Sequence, residues 1–140
     1  MSFSKDEMLE ALKAFTLDFI VKTYDFLKNV GKEGEYAELL GRELAVRVQR
    51  AFGKDKKHAI TYLNLILTSL ELPQFHQEGK KYVFECNSDE CSLMRTSIVT
   101  KTDFSHVFCE KFLGRFLKES GFSTKIQLPL EGRNGRIEAK

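Results

Sequence analysis

The sequence predicts an α+β fold, in which N-terminal helices pack with a small antiparallel sheet and a long aromatic helix near the C-terminus. Apolar residues recur every three to four positions over residues 1–72, the period of a helix. They alternate after Pro73, as in strands, and a phenylalanine-rich helical pattern returns from Phe104. A length of 140 residues suits one domain. We therefore predict a single domain over residues 1–140, with a helical half (1–72) and a strand-helix-strand half (73–140).

The helical half is predicted to contain three helices. The first runs from Lys5 to Val30, the second from Tyr36 to about Phe52, and the third from Ala59 to Leu70. Gly53 stands where a glycine cap ends the second helix, and Asp55 where a carboxylate caps the start of the third. The third helix is apolar almost all round, which predicts that other elements cover it on more than one side.

The second half is predicted to alternate strands with one helix. A hairpin is expected over residues 74–86 with a turn at Glu78-Gly79, and a further strand over residues 92–99. The aromatic helix follows over residues 104–120. Asn134-Gly135 is typical of a tight two-residue turn, so the last two strands are expected to form a second hairpin around it.

Charge and composition argue against several classes of function. Twenty-two basic and twenty acidic residues leave a net charge of +2, too little to attract nucleic acid or an anionic membrane by an overall field. A basic cluster from Arg42 to Lys57 precedes the third helix, as in a winged-helix DNA reader, but that helix has few side chains able to contact phosphate or bases. No apolar run is long enough for a membrane span. We expect a cytoplasmic protein that does not bind nucleic acid directly.

Four residues have the chemistry of a zinc site. Cys86 and Cys91 are five positions apart, and His106 and Cys109 lie three apart on one helical face. Thiolate and imidazole ligands suit Zn²⁺, so zinc is a candidate cofactor. Two alternatives remain open: three thiols without a metal, buried or at the surface, or a redox pair of Cys86 with Cys91.

The aromatic helix is the second candidate site. Its apolar residues cover more of the helix than an ordinary surface helix buries, which predicts packing on more than one side. Part of this wall is expected to line an apolar cavity for a small molecule, although a completely filled core would have the same composition. Gly114 would allow a neighbouring element to approach closely. The residues predicted to bind the ligand are Phe84, Phe108, Phe112, Leu113 and Phe116.

The C-terminal half resembles the vinyl reductase (4-vinyl reductase) domain family. The stretch HVFCEKFLGRFLKESGFSTKIQLPLEGRNGRIEAK has a cysteine (Cys109) on a helix, an apolar-glycine step (Leu113-Gly114), a strand, a glycine turn and a final short strand, as in that family. The resemblance implies a ligand-binding fold related to subunits of the vesicle-tethering transport particle, with an apolar pocket between helices and sheet. It also implies a homodimer.

The resemblance does not carry over a complete metal site. Several members of the family are thought to bind zinc through a cysteine at the position of Cys109, together with a Glu-x-x-Cys and another cysteine in the last two strands. No cysteine occurs between Ile126 and Ile137. Cys86 and Cys91 would therefore have to provide the missing thiolates.

Together, these patterns predict a sensory or regulatory domain that binds a small apolar or amphipathic molecule. None of the common catalytic motifs occurs in the sequence, so no catalysis of its own is expected. The alternative functions are a zinc or thiol-redox protein that uses the cysteines and His106, and a subunit of a larger assembly.

Overall fold

The computed structural model describes residues 2–86, 105–128 and 134–140, with the backbone alone at 105 and 106. These residues form four helices and a four-stranded antiparallel sheet, which confirms the predicted α+β class. The strand predicted over residues 92–99 and the start of the aromatic helix at Phe104 lie outside the described residues.

The three N-terminal helices begin and end close to the predicted positions. Helix α1 spans Lys5–Asn29, α2 spans Glu33–Phe52 and α3 spans Lys56–Ser69. Asp55 caps α3, accepting a hydrogen bond from the Lys57 backbone N–H at 2.9 Å, as predicted. Gly53 ends α2 with a positive φ of 81°, a conformation that favours glycine.

Helix α3 is less covered than its composition predicts. Leu63 and Leu67 are completely buried, but Leu65 is 63% exposed. One face of α3 packs into the core with α2, whereas the face that carries Leu65 meets solvent. The prediction that other elements cover α3 on more than one side is wrong, because the domain has no second layer on that side among the described residues.

The fourth helix, α4, changes its geometry part-way along. It begins as a π-helix over Ser105–Leu113 and continues as an α-helix over Gly114–Glu119. Leu113, Phe116 and Leu117 are completely buried, so α4 supplies much of the core. Packing on more than one side is confirmed for the part of α4 that the structure describes.

The sheet has the strand order β1-β2-β4-β3. Its strands are β1 His76–Glu78, β2 Lys81–Cys86, β3 Thr124–Gln127 and β4 Gly135–Ala139. The predicted first hairpin is confirmed, but its turn is Gly79-Lys80 instead of the predicted Glu78-Gly79, because Glu78 pairs with Lys81 and Gly79 has a φ of 61°. Phe84 and Ile137 pair across β2 and β4 and are buried against the helices.

The second hairpin forms, but not through the predicted turn. Gly135 is the first residue of β4 and pairs with Cys86, while Gln127 of β3 pairs with Arg136. A two-residue turn at Asn134-Gly135 would instead pair residue 133 with residue 136. The predicted turn is therefore wrong. Because β4 is central, its register is also set by β2, and burial of Ile137 fixes that register more strongly than local turn preference.

No helix within the described ranges has both the length and the apolar character needed to cross a lipid bilayer.

Candidate ligand pocket

A pocket of about 300 Å³ lies between all four helices. Its volume is at the small end of the range for ligand sites in proteins. Among the described residues, most of its lining is aliphatic or aromatic, and two charged side chains take part. The lining residues are Ile20 and Tyr24 of α1; Leu40, Glu43, Leu44 and Arg47 of α2; Ile66 of α3 and Leu70 directly after it; and Phe108 and Phe112 of α4.

Two stacked phenylalanines form one wall of the pocket. The ring centroids of Phe108 and Phe112 are 5.3 Å apart, with an angle of 23° between the ring planes. Both residues belong to the π-helical part of α4. π-Helical turns are rare and occur often at functional sites. The π-helical backbone thus holds two of the five predicted ligand-binding residues against the pocket.

Close contact with α2 fixes the position of this wall. A Cβ atom on Gly41 would lie 2.5 Å from the Phe112 carbonyl oxygen and 3.1 Å from the Phe116 backbone nitrogen. Only glycine lets the two helix backbones approach this closely. On the other side of α4, a Cβ atom on Gly114 would lie 3.1 Å from Ile126 Cδ1 of β3, in agreement with the close approach predicted there.

The polar groups at the pocket differ in their environments. Arg47 is exposed to solvent and makes no ion pair with any described residue, whereas Glu43 lies 3.6 Å from Arg42. Tyr24 is buried, and burial, with a smaller contribution from nearby Tyr36, raises the pKa of its phenol well above the ordinary value. The pocket therefore combines a neutral phenol with one available guanidinium.

The other three predicted ligand-binding residues lie elsewhere in the core. Leu113 and Phe116 are completely buried, and Phe84 is 2% exposed. None of the three lines the pocket. Phe84 packs instead against Phe75, with ring centroids 5.3 Å apart. The aromatic composition alone does not distinguish residues that fill the core from those that line its cavity.

The predicted zinc ligands are only partly described. Cys86 lies at the end of β2 and Cys109 in the π-helical part of α4, and both carry buried thiols. Cys91 and the His106 side chain lie outside the described residues. Within residues 2–86, 105–128 and 134–140, no group of three or more potential metal ligands comes together. The zinc site and the redox pair remain predictions.

Sequence reasoning missed most of the pocket. Ile20, Tyr24 and Ile66 have the helical spacing of ordinary core residues, and Arg47 belongs to the basic cluster from Arg42 to Lys57, which is typical of a solvated helix face. Gly41 gave a usable signal, because an isolated glycine inside a helical pattern often marks close packing. Only the packing of four helices brings these side chains to one cavity.

No protein-family model matches the chain, and neither a curated protein nor a solved structure matches it. The resemblance to the vinyl reductase domain therefore depends on the residues from His106 to Lys140 quoted above, and membership of that family remains a prediction.

Proposed function

We propose that the chain is a ligand-binding domain of the vinyl reductase type, which holds a small apolar or amphipathic molecule in the pocket between its four helices. It acts as a sensory or regulatory module in the cytoplasm, as a homodimer, and without catalysis of its own. The single observation that supports it best is the stacked pair Phe108 and Phe112 facing a cavity of about 300 Å³.

The lining favours a ligand with a compact apolar body. Leu40, Leu44 and Ile66 also line the pocket, and transfer of an apolar group from water to such a surface contributes about 25 cal/mol per Å². A ligand of the size of a monocyclic aromatic compound or a short acyl chain fits this volume.

Arg47 favours a ligand with an anionic head. The guanidinium has no carboxylate partner among the described residues, so a ligand carboxylate gains a charge-assisted hydrogen bond without breaking an existing ion pair. An amphipathic acid would place its apolar chain on Phe108 and its head group at Arg47.

Calorimetric titration with octanoate tests the proposal, with octanol as its uncharged counterpart. We expect saturable octanoate binding that Arg47→Gln weakens about tenfold, because a charge-assisted hydrogen bond contributes roughly 1.5 kcal/mol. Arg50→Gln is the matched control, since Arg50 lies on the same helix but does not line the pocket. Octanol binding should be nearly the same in both variants.

A second pair of variants tests the location of the site. Ile66→Trp fills the pocket and should abolish octanoate binding, whereas Leu65→Trp adds the same side chain to the neighbouring exposed position and should leave binding intact. Circular dichroism verifies that both variants fold. Absence of saturable binding, or equal binding in the two variants, would contradict the proposal.

A further inference from the structure

Helix α1 carries two separate apolar stripes, and only one of them packs on the protein. Tyr24 is buried, and Leu17, Ile20 and Val21 pack beside it against the core. A second set of large side chains lies roughly 160° away around the helix axis, at 100° per residue. This second set, the outer seam, consists of Met8, Leu12, Phe15, Phe19 and Phe26, which are 53%, 60%, 66%, 60% and 70% exposed.

The outer seam and the other exposed apolar residues of this segment together have the area of a stable protein interface. A fully exposed large apolar side chain has an area of roughly 200 Å², so with the exposed fractions given above the five residues expose on the order of 600 Å². Phe3, Leu9 and Val30 are also more than half exposed and raise the total to on the order of 900 Å². Each partner in a standard interface gives up about 800 Å², and monomeric proteins seldom expose so large an apolar patch.

The spacing of the outer seam matches a helical partner. Met8, Leu12, Phe15, Phe19, Lys22 and Phe26 follow one another at intervals of four, three, four, three and four residues, the heptad repeat of a two-helix coiled coil. The rings of Phe15 and Phe19 stack at the centre, with centroids 6.2 Å apart. A helix with the same repeat complements such a seam, and α1 of a second copy has that repeat.

Charge argues against a membrane surface as the partner. Helix α1 contains four lysines and five acidic residues, whereas helices that lie on anionic membranes are rich in lysine and arginine. Lys22, the one charged residue in the repeat, is already paired with Asp18 at 3.2 Å.

We propose that the outer seam binds a second copy of the chain through an antiparallel pair of α1 helices. About a centre at residue 17, Phe15 faces Phe19 of the partner subunit, Met8 faces Phe26 of the partner subunit, and Leu12 faces Lys22 of the partner subunit. The lysine stem lies on Leu12 while its ammonium group reaches solvent. A parallel pair would place the two Lys22 side chains against each other.

The pairing is a separate property from ligand binding, and it assigns a surface to the homodimer assumed in the proposed function. Ile20 and Tyr24 line the pocket from the packed stripe of α1, not from the outer seam. Octanoate binding and dimer formation can therefore fail independently.

Sedimentation velocity over a range of protein concentrations tests the interface. We expect the wild-type chain to be a dimer, and Phe15→Asp to raise Kd more than about 30-fold, as a central interface residue does. Phe52→Asp is the control, since Phe52 is 53% exposed on α2, outside the seam, and this variant should remain dimeric. Circular dichroism verifies folding of each. A monomeric wild-type chain, a monomer that binds phosphatidylglycerol vesicles, or a dimer unaffected by Phe15→Asp would overturn the proposal.

Disulfide cross-linking tests the direction of the pair. Leu12→Cys and Lys22→Cys are made separately in a Cys91→Ser background, mixed and oxidised. An antiparallel pair cross-links only in the mixture, because equal positions lie about 15 Å apart at 1.5 Å per residue. A cross-link of Lys22→Cys with itself would overturn the antiparallel arrangement.

Discussion

Replacing Gly41 by alanine is expected to destabilise the protein through a contact between two helix backbones. The new Cβ atom would lie 2.5 Å from the Phe112 carbonyl oxygen, whereas ordinary contact begins at 3.4 Å, so α4 must move away from α2 by about 1 Å. Overpacking of this kind costs roughly 1–3 kcal/mol. Alanine recovers about 1 kcal/mol of helix propensity. The expected net loss is ~0–2 kcal/mol in the free energy of unfolding, near the upper end because neither backbone contact can rotate aside.

Urea unfolding followed by circular dichroism measures this change, and Gly34→Ala is the matched control. Gly34 lies on the same helix, but its Cβ atom would be 3.8 Å from Lys111 Cε, an ordinary contact. Gly34→Ala should therefore be unchanged or up to about 1 kcal/mol more stable. Movement of α4 in Gly41→Ala should also weaken octanoate binding. A Gly41→Ala protein as stable as Gly34→Ala would refute the reasoning.

Three further perturbations test separate parts of the fold. Asn64→Ala should lower the free energy of unfolding, measured in urea, by about 1–3 kcal/mol. The Asn64 side-chain amide donates to the Phe75 carbonyl at 2.9 Å and accepts from the Phe75 N–H at 2.7 Å. An unchanged free energy of unfolding would show that these two hydrogen bonds do not stabilise the fold. Burial raises the pKa of Tyr24, so Tyr24→Phe should remove an alkaline step from a spectrophotometric tyrosine titration. In the wild-type protein, the free energy of unfolding should fall as pH rises above about 10, because the unfolded Tyr24 loses its proton there while the folded one keeps it. Hydrogen bonding, chiefly from Lys81, lowers the pKa of Glu138, so its contribution is present above the ordinary carboxyl pKa and is lost as pH falls through the lower folded value. Glu138→Gln should therefore make the urea midpoint less sensitive to acid, and an unchanged pH profile would count against this.

Local patterns in the sequence predicted the type and order of the described elements. The helical period located α1, α2 and α3, and the glycine and aspartate between α2 and α3 marked their ends. These features depend on residues that are close together in the sequence. A cap is formed by local hydrogen bonds, and an apolar repeat shows the helical period within one segment. The turn at Asn134-Gly135 was predicted wrongly because that prediction used local residues alone. The register of the central strand β4 depends on its pairing with both β2 and β3.

The sequence by itself determined the fold class and the aromatic character of α4. Only the tertiary structure decided what each apolar residue does. Phe116 fills the core, Phe112 lines a pocket, and Phe15 remains exposed, although all three are phenylalanines on helical repeats. Hydrophobic burial is non-directional and depends on which surfaces meet. The contact of Gly41 with the backbone of α4 joins two helices that are far apart in the sequence, so the local pattern around Gly41 does not identify the surface that it meets.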